Sequence, residues 1–159
     1  MGHEIRVVPS VLDRLLDLEP ASHRDVLPTR AESVRELHSA VQRDLDNLLN
    51  ARNAFFDLSS DFTECGQSVL TYGLPDFSAM TLSSGRDQNR LRQAIEVAIR
   101  TFEPRLTNVV ATFAPTSAAD RSVRLHVDAR LAMDPSPEAV AFDIVMPLHS
   151  GKYEVKERD

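Results

Sequence analysis

The spacing of apolar residues changes abruptly at one point of this 159-residue chain. In the segment that ends at Phe102, apolar residues recur every three or four positions, as on one face of a helix. After Leu106 they recur at every second position, as on one face of a strand. The tripeptide Glu103-Pro104-Arg105 stands between the two patterns, and its proline explains the end of the helix because proline has no N–H to donate. The change predicts a helical layer followed by a sheet.

Two long amphipathic helices are predicted before this turn. The first spans about residues 31–52, and Ser33 and Glu36 have the spacing of a capping box. The second ends at Phe102, and a serine at position 83 or 84 can cap its start. The apolar stripe of the first helix consists of Val34, Leu37, Val41, Leu45, Leu48 and Leu49. The charged residues on its other face, which include Arg43, Asp44 and Asp46, are typical of a solvated surface.

Four strands are predicted after the turn. The first covers residues 109–113, the next two alternate apolar and polar residues over 123–131 and 140–148, and a charged edge strand lies within 152–158. The short connections between them favour antiparallel neighbours. The predicted fold class is therefore α+β, with two long amphipathic helices packed on one face of a mainly antiparallel sheet of about four strands.

Residues 1–30 are predicted to form an N-terminal helical arm, and residues 31–159 a single α+β domain. The arm contains a short amphipathic helix over 9–18 and a tether, and the helix either packs on its own domain or binds a partner. Residues 53–66 are predicted to be an irregular loop. Ser68–Asp76 is predicted to contain a short β-like run, in which Gly73 and Pro75 mark a tight change of chain direction.

The composition argues against several classes of function. A net charge of −6 does not suit a protein that binds nucleic acid, and no apolar run approaches the roughly 20 residues that cross a bilayer. The single cysteine, Cys65, has no partner for an internal disulfide, and the five histidines lack metal-site spacing. We therefore expect a cytoplasmic protein with no cofactor, no metal and no direct membrane insertion.

Glu103 and Arg105 leave two interpretations open. They can form a surface ion pair beside a helix stopped by proline, which contributes under about 1 kcal/mol. Alternatively, Arg105 can bind a carboxylate of a partner while Glu103 accepts a hydrogen bond from it. A third use, in which Glu103 is the acid of a peptidoglycan hydrolase, is disfavoured because Arg105 would keep its carboxylate ionised.

Four stretches of the chain resemble the TssE family, the baseplate wedge proteins of type VI secretion systems. They are residues 9–15, the helix at 33–52, Ser68–Asp76 and Phe102–Leu106, and together they follow the family's order over most of the chain. The specific elements are Tyr72-Gly73-Leu74-Pro75-Asp76 and Glu103-Pro104-Arg105. Thr71 stands where many relatives carry Asn. The family is similar to a small phage-tail wedge protein that is sometimes labelled lysozyme-like, a label that no acid and nucleophile pair supports here.

The resemblance implies a structural and non-catalytic role. It implies that Glu103, Pro104 and Arg105 dock onto the helical core bundle of the wedge, and that the C-terminal sheet edge offers unpaired backbone groups to strands of the contractile sheath. The residues of that edge are Lys152, Tyr153, Glu154, Val155 and Lys156. The implied partners are the wedge subunits TssF, TssG and TssK and the sheath proteins TssB and TssC.

Overall fold

The computed structural model describes residue 15 and residues 29–53, 62, 64–77, 84–115, 122–134, 136–147 and 152–158. The N-terminal arm and its tether lie outside the described residues, except for Leu15, Thr29 and Arg30. Most of the loop predicted over residues 53–66 lies outside them as well. None of the helices in the described ranges is both long enough and apolar enough to cross a membrane.

The first long helix, α1, spans Arg30–Asn50 and confirms the predicted element. Its capping box is formed by Thr29 and Glu32, and the predicted pair of Ser33 and Glu36 is wrong by one turn. The Thr29 side chain accepts a hydrogen bond from the Glu32 N–H, and the Thr29 N–H donates to Glu32 Oε2 at 2.7 Å. Ser33 is already inside the helix, where it is buried.

The second long helix, α2, spans Gly85–Phe102. Ser84 is its N-cap residue without a capping hydrogen bond from its side chain, and Asp87 lies in the first turn, where the helix dipole favours a carboxylate. The helix ends at Phe102, and the N–H of Glu103, which follows it, donates to Ile99 O at 2.8 Å. Its buried face presents Leu91, Ile95, Ala98 and Ile99.

Four antiparallel strands form one sheet in the order β1-β2-β3-β4. They are β1 (Leu106–Phe113), β2 (Ser122–Leu131), β3 (Glu138–Pro147) and β4 (Glu154–Glu157). The first strand begins three residues before the predicted start, because a register shift between Thr107 and Val110 hides the alternation there. Asn108 takes a φ of 53° at this bulge, a backbone conformation that Asn tolerates better than most residues.

One hydrophobic core joins both helices to one face of the sheet. Buried residues alternate with half-buried or exposed ones along β2 and β3, as predicted, and α2 packs on β1 while α1 packs on β4. Among the largest fully buried side chains are Leu45 of α1, Ile99 of α2 and Phe142 of β3. The predicted α+β fold class is confirmed.

The segment before α2 has a different structure from the predicted one, and hydrogen bonds attach it to the end of α1. The β-like run expected after Ser68 is wrong, because Val69–Thr71 is a short 3-10 helix that follows another at Cys65–Gln67. Leu74 then pairs with the chain just after α1: its N–H donates to Ala51 O at 3.0 Å, and its carbonyl accepts from Asn53 N at 2.9 Å. Gly73 makes the approach possible.

Gly73 has a φ of 106°, and a Cβ atom at this position would lie 2.4 Å from Ala51 O. We expect Gly73→Ala to lower the free energy of unfolding by about 2 kcal/mol or more, because it adds both backbone strain and a clash. Urea denaturation measures the change. The control is Gly66→Ala, where a Cβ meets no described atom within 4 Å and the expected change stays below about 1 kcal/mol. Equal effects of the two substitutions would contradict this account.

Candidate functional site

The Glu103-Pro104-Arg105 turn joins the helical layer to the sheet. Glu103 follows the last residue of α2, and its carbonyl accepts a hydrogen bond from Leu106 N at 3.0 Å, which starts β1. Pro104 is exposed, and its missing N–H costs nothing at a position where the helix ends. The turn is therefore fixed by backbone hydrogen bonds on both sides of an exposed proline.

Glu103 and Arg105 bind each other through two side-chain hydrogen bonds. Arg105 Nε donates to Glu103 Oε1 at 2.6 Å and Nη2 donates to Oε2 at 2.5 Å, and the Arg105 backbone N–H adds a contact to Oε1 at 3.3 Å. The Glu103 side chain is 5% exposed and that of Arg105 is 24% exposed. The pair is therefore closed on itself and largely buried, unlike the surface ion pair that the sequence left open.

Asp44 of α1 is the third member of this cluster. Arg105 Nη2 donates to Asp44 Oδ2 at 2.5 Å, and Arg43 contacts the other carboxylate oxygen at 3.2 Å. The hydrogen bonds with Glu103 raise the pKa of Arg105 above its ordinary value, although burial opposes them, and the bond to Asp44 adds to the rise. The assignment of Asp44 to a solvated face is wrong, because a partner 61 residues away leaves no signal in helical periodicity.

A cleft of about 490 Å³ opens beside the cluster. Tyr72 and Phe102 meet edge to face in its wall, with ring centroids 5.2 Å apart and an interplanar angle of 73°. Burial raises the pKa of the Tyr72 hydroxyl, and the carboxylates of Asp44 and Glu103 raise it further, so the hydroxyl stays neutral. The lining residues are Asp44, Asn47, Leu48, Tyr72, Phe102, Glu103, Pro104 and Arg105.

Arg105 also carries an unused donor in this region. Its Nη1 atom is buried and has no hydrogen-bond partner within the described ranges. A buried donor without a partner costs roughly 1–3 kcal/mol, so an acceptor brought to this atom would be favoured. The cleft thus combines an exposed proline, two aromatic rings and the cationic side chain of Arg105.

The second predicted site, Lys152–Lys156, lies at the β4 edge of the sheet. Lys152 and Tyr153 precede the strand, and Glu154, Val155 and Lys156 belong to it. Tyr153 and Val155 are buried in the core, whereas Glu154 and Lys156 are exposed. Burial raises the pKa of Tyr153 to about 12, so its hydroxyl stays neutral at ordinary pH.

The outer backbone groups of this edge are not free at every position, which differs from the expectation of unpaired backbone. Val155 N donates to Asp46 Oδ1 at 2.8 Å, and Val155 O accepts from Gln42 Nε2 at 2.8 Å. Asn50 accepts from Tyr153 N and donates to Tyr153 O, both at 2.9 Å. Three polar side chains of α1 therefore pair two residues of the edge, and the assignment of Asp46 to a solvated face is wrong as well.

The described residues contain no group of three or more His, Cys, Asp or Glu side chains that could hold a metal ion. His126, which lies on the face of β2 opposite the hydrophobic core, pairs with Asp143 of β3, with His126 Nδ1 2.5 Å from Asp143 Oδ1. The two sites that the sequence singled out are instead connected by α1, since Asp44 contacts the turn and Asp46 contacts β4.

We expect Glu103→Gln to lower the free energy of unfolding by about 2 kcal/mol, because it leaves the largely buried Arg105 with Asp44 as its remaining carboxylate. Chemical denaturation measures the loss. Glu36→Gln removes an exposed carboxylate from α1 and should change stability by less than about 0.5 kcal/mol. A Glu103→Gln protein as stable as Glu36→Gln would show that the buried pair does not hold the turn.

Comparison with known proteins identifies the family of this chain. The family model described as "Baseplate wedge protein gp25" matches residues 35–136, a range that begins within α1 and ends just before β3. No curated protein is significantly similar in sequence to this chain. Because the matched range covers well over half of the 159 residues and includes the turn and its cleft, the chain belongs to the gp25 baseplate wedge protein family.

Proposed function

We propose that this chain is a TssE-type structural component of a type VI secretion baseplate, which docks onto the wedge core bundle and links it to the contractile sheath. The observation that carries the proposal is the buried cluster of Glu103, Arg105 and Asp44 beside an open cleft. The family supplies the structural baseplate role. The wedge subunits TssF, TssG and TssK, the sheath proteins TssB and TssC, and a position on the cytoplasmic side of the membrane belong to the proposal.

In this proposal Glu103 is a positioning residue. Both of its carboxylate oxygens already accept hydrogen bonds from Arg105, and its side chain is buried. The carboxylate therefore orients the guanidinium, and Asp44 holds it from the side of α1. The arrangement favours a rigid docking surface, because both contacts of Arg105 are charge-assisted hydrogen bonds.

The partner proposed for the cleft is a helical bundle of the wedge. An apolar side chain of the bundle would pack against Tyr72 and Phe102, whose rings supply contact area with few rotatable bonds. A carboxylate of the bundle would be attracted by the guanidinium of Arg105, which lines the cleft. Exposed Pro104 would lie at the rim, where its fixed φ costs no ordering entropy on binding.

The partner proposed for the β4 edge is a strand of the sheath. Glu154, Lys156 and Arg158 alternate with Val155 and Glu157, and Arg158 N donates to Ala141 O of β3 at 2.9 Å. By this alternation the backbone groups of Val155 and Glu157 point away from β3, where an added strand would pair with them.

A structural role also suits the hydrogen bonds of Glu103. A general acid in glycoside hydrolysis carries a proton at the working pH, which requires a raised pKa. Both oxygens of Glu103 instead accept hydrogen bonds from the Arg105 guanidinium, so neither is free to pass a proton to a substrate. We therefore propose a protein without enzymatic activity at this turn.

Docking through the cleft predicts the effect of a bulky charge at its rim. Asn47 is an exposed residue of α1 in the cleft lining, so Asn47→Arg should block the bundle without disturbing the core. We expect at least a tenfold loss of wedge subunits that co-purify with the chain, while the melting temperature stays within about 2 °C of the wild type.

The control for this substitution is Ser39→Arg, which places the same side chain at an exposed position two turns earlier on α1. This variant should co-purify wedge subunits at the wild-type level. Normal recovery of the wedge with Asn47→Arg would remove the cleft from the docking surface.

Strand addition at β4 predicts a specific effect of proline. Glu157→Pro removes an amide that points away from β3, so the ladder with β3 keeps its donors. We expect this variant to retain at most a fifth of the sheath subunits that the wild type retains in a co-purification. Glu157→Ala loses the same carboxylate and keeps the amide, and it should behave like the wild type. Equal retention by the two variants would contradict strand addition.

A further inference from the structure

The three α1 side chains at the β4 edge are spaced so that they imitate a neighbouring strand. Gln42, Asp46 and Asn50 lie four residues apart, on one face of the helix. Together they make four hydrogen bonds of 2.8–2.9 Å with the backbone of Tyr153 and Val155. The side chains donate in two of these bonds and accept in the other two. The set satisfies outward-facing backbone groups of the β4 edge, among them those of Val155, which an added strand would bind. We refer to Gln42, Asp46 and Asn50 as the latch.

The opposite edge of the sheet is closed by a different kind of contact. Glu96 of α2 is a buried carboxylate that accepts from Ala111 N at 2.9 Å, and Arg100 donates to Val109 O at 2.6 Å. Glu96 is itself held by Arg92 at 2.8 Å. Opening this β1 edge would take the Ala111 N–H away from a buried carboxylate, which is costly.

The latch side chains are more accessible than Glu96. Gln42, Asp46 and Asn50 are all half-buried, so water can replace their bonds when they move away from β4. An incoming strand would supply one donor and one acceptor at each of Tyr153 and Val155, which leaves the number of hydrogen bonds unchanged. Because the exchange loses no backbone pairing, β4 is the edge at which a partner strand can replace the existing hydrogen bonds without leaving a buried charge unpaired.

We propose that the latch occupies the strand-binding edge of β4 in the free chain, and that a partner strand binds by displacing Gln42, Asp46 and Asn50. The inference rests on the proposed strand addition and adds its regulation. The latch keeps the edge from pairing with a second copy of the chain before a partner with a complementary strand arrives. Displacement also frees polar side chains of the helix that contacts the docking turn through Asp44.

The first arm of the test measures the latch in the isolated full chain. Asp46→Ala removes the acceptor of Val155 N, and we expect the amide hydrogen of Val155 to exchange at least tenfold faster. The amide of Lys156, which faces β3, should exchange at the wild-type rate. Glu36→Ala, which removes an exposed carboxylate from the same helix, is the control. Unchanged exchange at Val155 would overturn the latch.

The second arm measures strand capture, with sheath subunits co-expressed at limiting concentration as the probe. Asp46→Ala and Gln42→Ala should each retain at least threefold more sheath subunits than the wild type. Gln42→Ala frees only the Val155 carbonyl, so it keeps the test available if Asp46→Ala folds poorly. Unchanged or lower retention would contradict regulation of β4 by the latch. Strand addition would still stand in that case if Glu157→Pro loses the sheath subunits. If Glu157→Pro retains as much sheath as Glu157→Ala in every background, strand addition and the latch both fail.

Discussion

The guanidinium of Arg105 is the contact on which the arrangement of this fold depends. It binds the carboxylate of Glu103 at the end of α2 and the carboxylate of Asp44 on α1. Arg105 itself directly precedes the first residue of β1. A cation this far removed from water needs partners, and here two carboxylates from different elements provide them. The two helices and the first strand therefore share one electrostatic contact in addition to their common hydrophobic core.

The polar face of α1 has more than one use. A charged helix face usually serves solubility, and part of this one does, since Arg35 and Glu36 are exposed. Asp44 instead contacts the turn, and Gln42, Asp46 and Asn50 pair with β4. One helix thus contributes its apolar face to the core and its polar face to the two surfaces that we propose for partners.

The sequence is sufficient to predict the elements that follow from the spacing of apolar residues and from helix-ending residues. The stripes of both long helices, the alternation along β2 and β3 and the stop at Pro104 all repeat locally, so the fold class follows from them. It is not sufficient for the partners of Asp44, Asp46 and Asn50, because these pairings join residues 61 to 109 positions apart. The 3-10 helix at Val69–Thr71 does not follow from the sequence either, because its residue types are typical of a strand. The Thr71 hydroxyl stabilises the helical turn by donating to the carbonyls of Cys65 and Ser68.

The bonds between α1 and β4 have a mechanical consequence. They lie side by side along one helix, so a pull along β4 would load all four together instead of breaking them one after another. The same helix is clamped at Asp44 by the guanidinium of the turn. A force applied to the sheet edge would therefore reach the Glu103-Pro104-Arg105 turn through the short part of α1 between Gln42 and Asn50, without passing through the loops of the chain.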